Sequence, residues 1–351
     1  VTNILIISVL GTFYVGLFAW AFRVLPREGW QILSAVPLAR QTNGQWTGFN
    51  LTYYGLFTAT GVTVAAAVVC VLMAALAVPI ALTAMLIVIL LALCVPAAKI
   101  VARLVEDKTN TFTIGGAVFV GVVLAPWVIL GINLAAGTQP AADEIPFVPT
   151  LAILAIAYAF GEGTGRLACI SFGCCYGKPL TSVAPWMSRL FGTYHFVFAG
   201  PTKKAAYEGG LEATPVIPIQ GVTAIIFVGT GLLGLTLFLH GHDVAAFVST
   251  WLMTQLWRAA SELLRADYRG DGTISSYQVL ALMGALYGLG IVLALPDHLT
   301  PAPDIWKGLR ILWNPAVILA LQLVWVVIFL YTGRSKVTVS TLSVSVVRDQ
   351  V

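Results

Sequence analysis

Gly161-Glu162-Gly163-Thr164-Gly165-Arg166-Leu167-Ala168-Cys169-Ile170-Ser171-Phe172-Gly173-Cys174-Cys175-Tyr176-Gly177-Lys178-Pro179 breaks an otherwise apolar chain with charge, glycine and cysteine. The stretch follows an apolar run directly, so Glu162 and Arg166 belong at or inside a membrane boundary, where a bare charge costs roughly 2.5–3.5 kcal/mol. Charges kept there have a partner or a task.

The surrounding composition supports that setting. Of 351 residues, 59% are hydrophobic and 10% are charged, against about 25% charged in soluble domains. The net charge of +4 is scattered along the chain or placed at the ends of apolar runs rather than gathered in a patch, which excludes a nucleic-acid surface. Crossing about 30 Å of hydrocarbon takes about 20 mostly apolar residues. Nine stretches qualify: Ile4 to Val24, Leu51 to Leu76, Pro79 to Ala102, Phe112 to Leu134, Pro149 to Thr164, Pro218 to Leu239, Asp243 to Leu264, Ser276 to Leu295 and Leu309 to Tyr331. The expectation is an all-α polytopic membrane protein of about nine transmembrane helices. The first stretch has no basic leader or small-residue cleavage site, so it reads as a retained helix. Pro26 to Asn50 reads as a polar connection on the bilayer surface. Gly165 to Pro218 is too long for a turn, and its Trp186, Phe191, Tyr194, Phe196 and Phe198 predict a small folded cap.

A second polar cluster ends the seventh stretch. Arg258, Glu262 and Arg265 are spaced by four and three, which puts them on one helical face and lets Glu262 pair with both arginines. A salt bridge at a helix end would explain this helix alone. Alternation of the helices, however, brings Tyr54, Gly115, Arg166 and Arg258 toward the same face, which favours a shared polar pocket. Arginine forks suit phosphate, and a concave arginine-lined site at a membrane boundary suits phospholipid headgroups.

Other motifs carry less. Asp267 to Gly272 has the spacing of a calcium loop, but Arg269 takes a ligand position and Gln278 replaces the bidentate glutamate, so a polar turn is expected. Cys169, Cys174 and Cys175 offer a metal site, a disulfide, a nucleophile beside Arg166, or small-residue packing. Adjacent cysteines seldom bind one metal together and no histidine stands nearby, which argues against zinc. Of the histidines, only His195 is placed to act as a base. No cofactor motif is present, and nothing repeats in the manner of a transporter.

Several of these residues together resemble the prolipoprotein diacylglyceryl transferases, in divergent form. Gly165-Arg166, Cys169 and Gly173-Cys174-Cys175-Tyr176-Gly177-Lys178-Pro179 resemble the family's Gly-Arg motif in the branch with a Gly-Cys-Cys-Tyr-Gly run. Tyr54-Gly55, Pro215 to Gln220, the Arg258-Glu262-Arg265 spacing and Ile274 to Gln278 follow in the family's order, so the resemblance spans about Leu51 to Leu295. It implies a seven-helix core at 51–295 with its cap at 165–218, one extra helix within 1–50 and another within 296–351.

It also implies an activity in the bacterial inner membrane. The diacylglyceryl group of phosphatidylglycerol would pass to a lipobox cysteine of a prolipoprotein, without a cofactor. Arg166 and Arg258 would hold the phosphate, Glu262 would orient Arg258, and Cys169 would lie among the reacting groups. Tyr54, Gly165, Gly177, Gln220 and Arg265 would bind substrate. The chain departs from the family where a histidine is replaced by Ile114, an asparagine by Cys169, and Leu-Tyr-Glu by Gly221-Val222-Thr223. These departures support an alternative: an inactive transferase-like subunit of a larger membrane complex, with the two added helices as contact surfaces. Orientation stays open, because the family's site faces outward while Arg23, Arg27, Arg40, Lys99, Arg103 and Lys108 crowd the site-bearing face, which the positive-inside rule turns toward the cytoplasm.

Overall fold

A computed structural model describes residues 2–42, 44–106, 114–136, 144–268, 274–295, 302–335 and 346–350. The long helices are α1 (Thr2–Val24), α2 (Tyr53–Ala75), α3 (Ile80–Glu106), α4 (Ile114–Ala136), α5 (Phe147–Phe172), α8 (Ile219–Leu239), α9 (Asp243–Glu262), α10 (Ser276–Ala294) and α12 (Pro315–Thr332). Among the described residues, 8 of these are long and apolar enough to span a membrane. The exception is α9, which carries Asp243, Gln255, Arg258 and Glu262 among its 20 residues. The chain is a multi-pass, mostly helical membrane protein.

Helix α5 lies at the centre, packed by α2, α8 and α9. In its apolar stretch 78% of residues are buried, against 6% for α12 at the periphery. Small residues make the central packing close. A Cβ on Gly61 of α2 would stand 2.6 Å from the Gly161 carbonyl oxygen of α5, so any side chain there would force the two helices apart.

Three expectations need correction. The connection at 26–50 is not merely a polar surface segment: β1 (Ile32–Arg40) and β2 (Trp46–Thr52) form an antiparallel hairpin, extended by β5 (Arg334–Ser335). Thr52 Oγ1 accepts from Gly55 N–H at 3.3 Å, capping α2, and donates to the Gly333 carbonyl at 3.0 Å. The ninth apolar stretch, Leu309 to Tyr331, starts as a helical span only at Pro315, where Asn314 caps α12, and the short α11 (Ile305–Arg310) precedes it. Finally, α5 does not stop at Thr164. It continues to Phe172 and ends at Gly173, whose φ of 72° is the left-handed conformation that glycine adopts without a Cβ penalty.

The cap therefore begins at Gly173. It contains α6 (Pro185–Phe191), β3 (Phe196–Val197), α7 (Lys204–Tyr207) and β4 (Pro215–Val216), with β3 and β4 paired antiparallel. Phe196 and Phe198 supply its core, while Trp186 and Tyr194 are exposed. Lys203 ties the cap down: its fully buried ammonium donates to the carbonyls of Ser171 at 2.5 Å and Leu25 at 3.1 Å. Burial draws its pKa down to about 7.

Candidate functional site

Helix α5 carries Tyr158, Glu162 and Arg166 at intervals of four, which aligns them along one face. Glu162 Oε1 is bonded by Arg166 of its own helix and lies 3.7 Å from the Arg258 guanidinium of α9. Arg258 also donates to the Tyr158 hydroxyl at 3.0 Å. The side chain of Glu162 is 3% exposed and those of Arg166 and Arg258 are 12% and 15%. Water therefore screens this cluster weakly, and its charges act strongly on whatever enters beside them. The sequence-based expectation that Glu262 would be the carboxylate for Arg258 is corrected here: Glu162, from a different helix, reaches it.

Glu262 turns instead to Arg265, at 3.2 Å. Arg265 donates two further bonds, Nε to Asp267 Oδ1 and Nη2 to Asp267 Oδ2, both at 2.8 Å. Burial pushes the Asp267 pKa up to about 6, against the pull of that guanidinium. This second cluster fastens the end of α9 to the turn after α5. Lys178 N–H bonds the Leu264 carbonyl and Ala266 N–H bonds the Tyr176 carbonyl, each at 3.0 Å, and Gly177 faces Arg265 in the resulting bridge. Gly177 is required for close approach, since a Cβ would come 2.3 Å from the Ile217 carbonyl oxygen.

The clusters border two spaces of different character. An apolar cavity of about 360 Å³ lies between α2, α3, α4, α5, α9, α10 and α12, and Tyr54, Tyr158, Glu162, Gly165 and Cys169 give it a polar end. A Cβ at Gly165 would meet nothing within 4 Å. Behind this wall, Arg166, Cys175, Gln220 and Arg265 surround a polar nook of about 10 Å³. Gln220 Nε2 donates to the Cys174 carbonyl at 2.9 Å, whereas Gln220 Oε1 and Arg166 Nε, both buried, have no hydrogen-bond partner among the described residues.

The residues singled out in the sequence thus gather in one region, with Tyr54, Gly165 and Cys169 on the cavity and Gln220 and Arg265 on the nook. Glu162 and Tyr158 were not assigned roles, although the four-residue spacing with Arg166 marks their shared face. The three cysteines also converge, with their sulfurs all within 4.8 Å of one another. Hydrogen bonds with Cys169 and Cys174, and beyond them the Arg265 and Arg166 guanidiniums, hold the Cys175 thiol well below its ordinary pKa despite burial. His195 is half-buried and its Nδ1 lies 3.0 Å from the Gly192 carbonyl of the cap. The side chain of Ile114, most of the calcium-like loop (269–273), Lys108 and His298 fall outside the described residues.

The chain is thus a multi-pass bundle in which a buried Arg166–Glu162–Arg258 cluster reaches the polar end of an apolar cavity through Glu162. The family model for prolipoprotein diacylglyceryl transferases matches residues 44–294, more than half of the chain, and the chain belongs to that family. Membership places it among the transferases of lipoprotein biosynthesis. Among curated proteins, none matches it.

Proposed function

We propose that this protein transfers the diacylglyceryl group of phosphatidylglycerol to a lipobox cysteine thiol of a prolipoprotein in the bacterial inner membrane. The observation that carries this reading is the charge imbalance just behind the polar end of the cavity: two guanidiniums, Arg166 and Arg258, share one carboxylate, Glu162, which lines the cavity itself, while Arg166 lines the adjoining nook. That subsite has one positive charge in surplus, matching the single negative charge of a phosphodiester. The cavity takes the glycerol backbone and the first part of the acyl chains, and the chains continue into the bilayer.

In the reaction, the acceptor sulfur attacks the diacylglyceryl carbon that bears the phosphate ester. A carbon–sulfur bond forms, the carbon–oxygen bond breaks, and glycerol phosphate leaves carrying the proton lost by the thiol. Negative charge grows on the departing phosphate oxygen, and the fixed guanidiniums stabilise it without reorganising. Tyr54 helps to position the donor at the cavity mouth. Gln220 and Gly177 shape the adjoining nook and turn, and Arg265 holds that turn in place.

The test is reconstitution of the purified chain with labelled phosphatidylglycerol and a lipobox peptide. Labelled diacylglyceryl on the peptide thiol, with one glycerol phosphate released per transfer, is the expected result; absence of both overturns the reading. A second reading rests on Cys169, which occupies the cavity wall where the resembled family has asparagine: an inactive subunit that kept the fold. Stoichiometric copurification with other membrane subunits and no transfer would favour it.

A further inference from the structure

The convergence of three sulfurs is not explained by binding a phospholipid. Cys169 lies in the last turn of α5, and Cys174 and Cys175 follow that helix directly. Adjacent cysteines in extended chain would point apart. Here the chain reverses: Gly173 is left-handed, the Cys174 N–H returns to the Cys169 carbonyl at 3.1 Å, and Cys175 is itself left-handed at φ 56°. A non-glycine residue seldom adopts that conformation, because its Cβ crowds the following carbonyl, so the fold around it sustains a conformation that the residue alone would avoid.

The result is a set of soft ligands near metal-binding spacing. Zinc–thiolate bonds of about 2.3 Å put the sulfurs of a tetrahedral site about 3.8 Å apart, and the three sulfurs lie within 4.8 Å of one another. Small rotations about the side-chain bonds close the difference. Three thiolates would leave excess negative charge in a buried region, and Arg166 and Arg265 stand close enough to Cys175 to offset it. Adjacent cysteines and the lack of a nearby histidine spoke against a metal in the sequence; the left-handed turn removes the first objection, and the second bears only on a fourth ligand.

We propose that Cys169, Cys174 and Cys175 bind one thiophilic d10 cation, zinc or copper(I), at the end of α5. Copper(I) is satisfied by three sulfurs. Zinc takes a fourth ligand, and the neighbouring nook of about 10 Å³ has room for about one water. Gln220, 1% exposed and with its Oε1 unpartnered among the described residues, lines that nook. If the transfer reading holds, the zinc form has a further use that rests on it: the acceptor thiol displaces the water and is held as thiolate beside the cavity wall, and its proton departs with the glycerol phosphate.

Metal analysis of the full chain purified under reducing conditions, followed by titration with zinc, copper(I) and cobalt(II), tests the site independently of activity. One equivalent of metal and a sulfur-to-cobalt charge-transfer band are expected. Both should disappear in Cys169→Ser, Cys174→Ser and Cys175→Ser and persist in Cys70→Ser and Cys94→Ser. Retention of the helical circular dichroism spectrum in the serine variants shows that loss of metal is not loss of fold. If a variant unfolds, metal-dependent protection of the three wild-type thiols from alkylation serves instead. Absence of binding while all three thiols are reduced, binding that survives the serine changes, or a disulfide within the cluster after reductant-free purification overturns the proposal. Metal bound without transfer refutes only the transfer reading, and transfer by the metal-free chain refutes only the catalytic use of zinc.

Discussion

Two buried arginine clusters stand within one region of this protein, and their stoichiometries are opposite. At the cavity, two guanidiniums share the carboxylate of Glu162. At the end of α9, the guanidinium of Arg265 serves both Glu262 and Asp267. On the proposed reading the first arrangement leaves positive charge for a guest, whereas among the described residues the ion pairs of the second are internal, and backbone bonds of Leu264 and Ala266 join the end of α9 to the turn after α5. On that reading the same residue types make a receptor in one place and a fastening in the other, and the difference lies in the count of carboxylates among the described residues.

The strongest way to break the comparison is Arg265→Met. Removing Arg265 takes away the guanidinium that Glu262 and Asp267 both meet, and loss of one partner from a buried pair costs about 3–5 kcal/mol. Thermal unfolding in detergent should show a large loss of stability; an unchanged transition would mean that the fastening is not structural. Next is Arg258→Ala. Glu162 keeps Arg166, so the fold should persist, while transfer from phosphatidylglycerol should fall about 10²–10³-fold, the usual cost of one preorganised charge donor. Full transfer by that variant would remove the receptor assignment.

Smaller changes sharpen the contrast. Gly177→Ala drives a Cβ toward the Ile217 carbonyl, and overpacking of this kind costs about 1–3 kcal/mol; unfolding should register it, with phosphatidylglycerol affinity less affected than in Arg258→Ala. The smallest effect is a pH slope. Asp267 has a folded pKa of about 6, raised from 3.8 chiefly by burial. A raised carboxylate contributes stability that is complete below its unfolded pKa and is lost as pH rises through its folded one. The slope between those values is at most one proton, about 1.4 kcal/mol per pH unit. Unfolding measured across that window should therefore show less decline in Asp267→Asn than in the parent chain.

The helices were legible because about twenty apolar residues have few other uses. The spacing of Arg258, Glu262 and Arg265 likewise placed them on one face. Pairing was not legible, because Arg258 meets Glu162 through packing of α5 on α9, a contact that no local spacing encodes. The hairpin of Ile32–Arg40 and Trp46–Thr52 was obscured by Pro37 and by polar residues on both sides of the strands. The full length of α5 was hidden by Gly161, Gly163 and Gly165, which weaken a helix locally; two of them face neighbouring helices so closely that a Cβ would meet atoms at 2.8 Å. Convergence of the cysteines depended on a left-handed Cys175, which residue preferences disfavour.

The pairing of Glu162 with an arginine on its own helix also bears on how the protein is made. During synthesis α5 enters the bilayer before α9 exists, and an isolated charge at the helix centre would cost roughly 2.5–3.5 kcal/mol. Glu162 and Arg166, one turn apart, let α5 enter as a locally neutral rod. Arg258 has no such companion in its own ion pairing, and α9 is the long helix that lacks the hydropathy of a membrane span. When α9 follows in chain order, the acid that receives Arg258 is already in place, so the order of insertion supplies each charge with its counter-ion as it arrives.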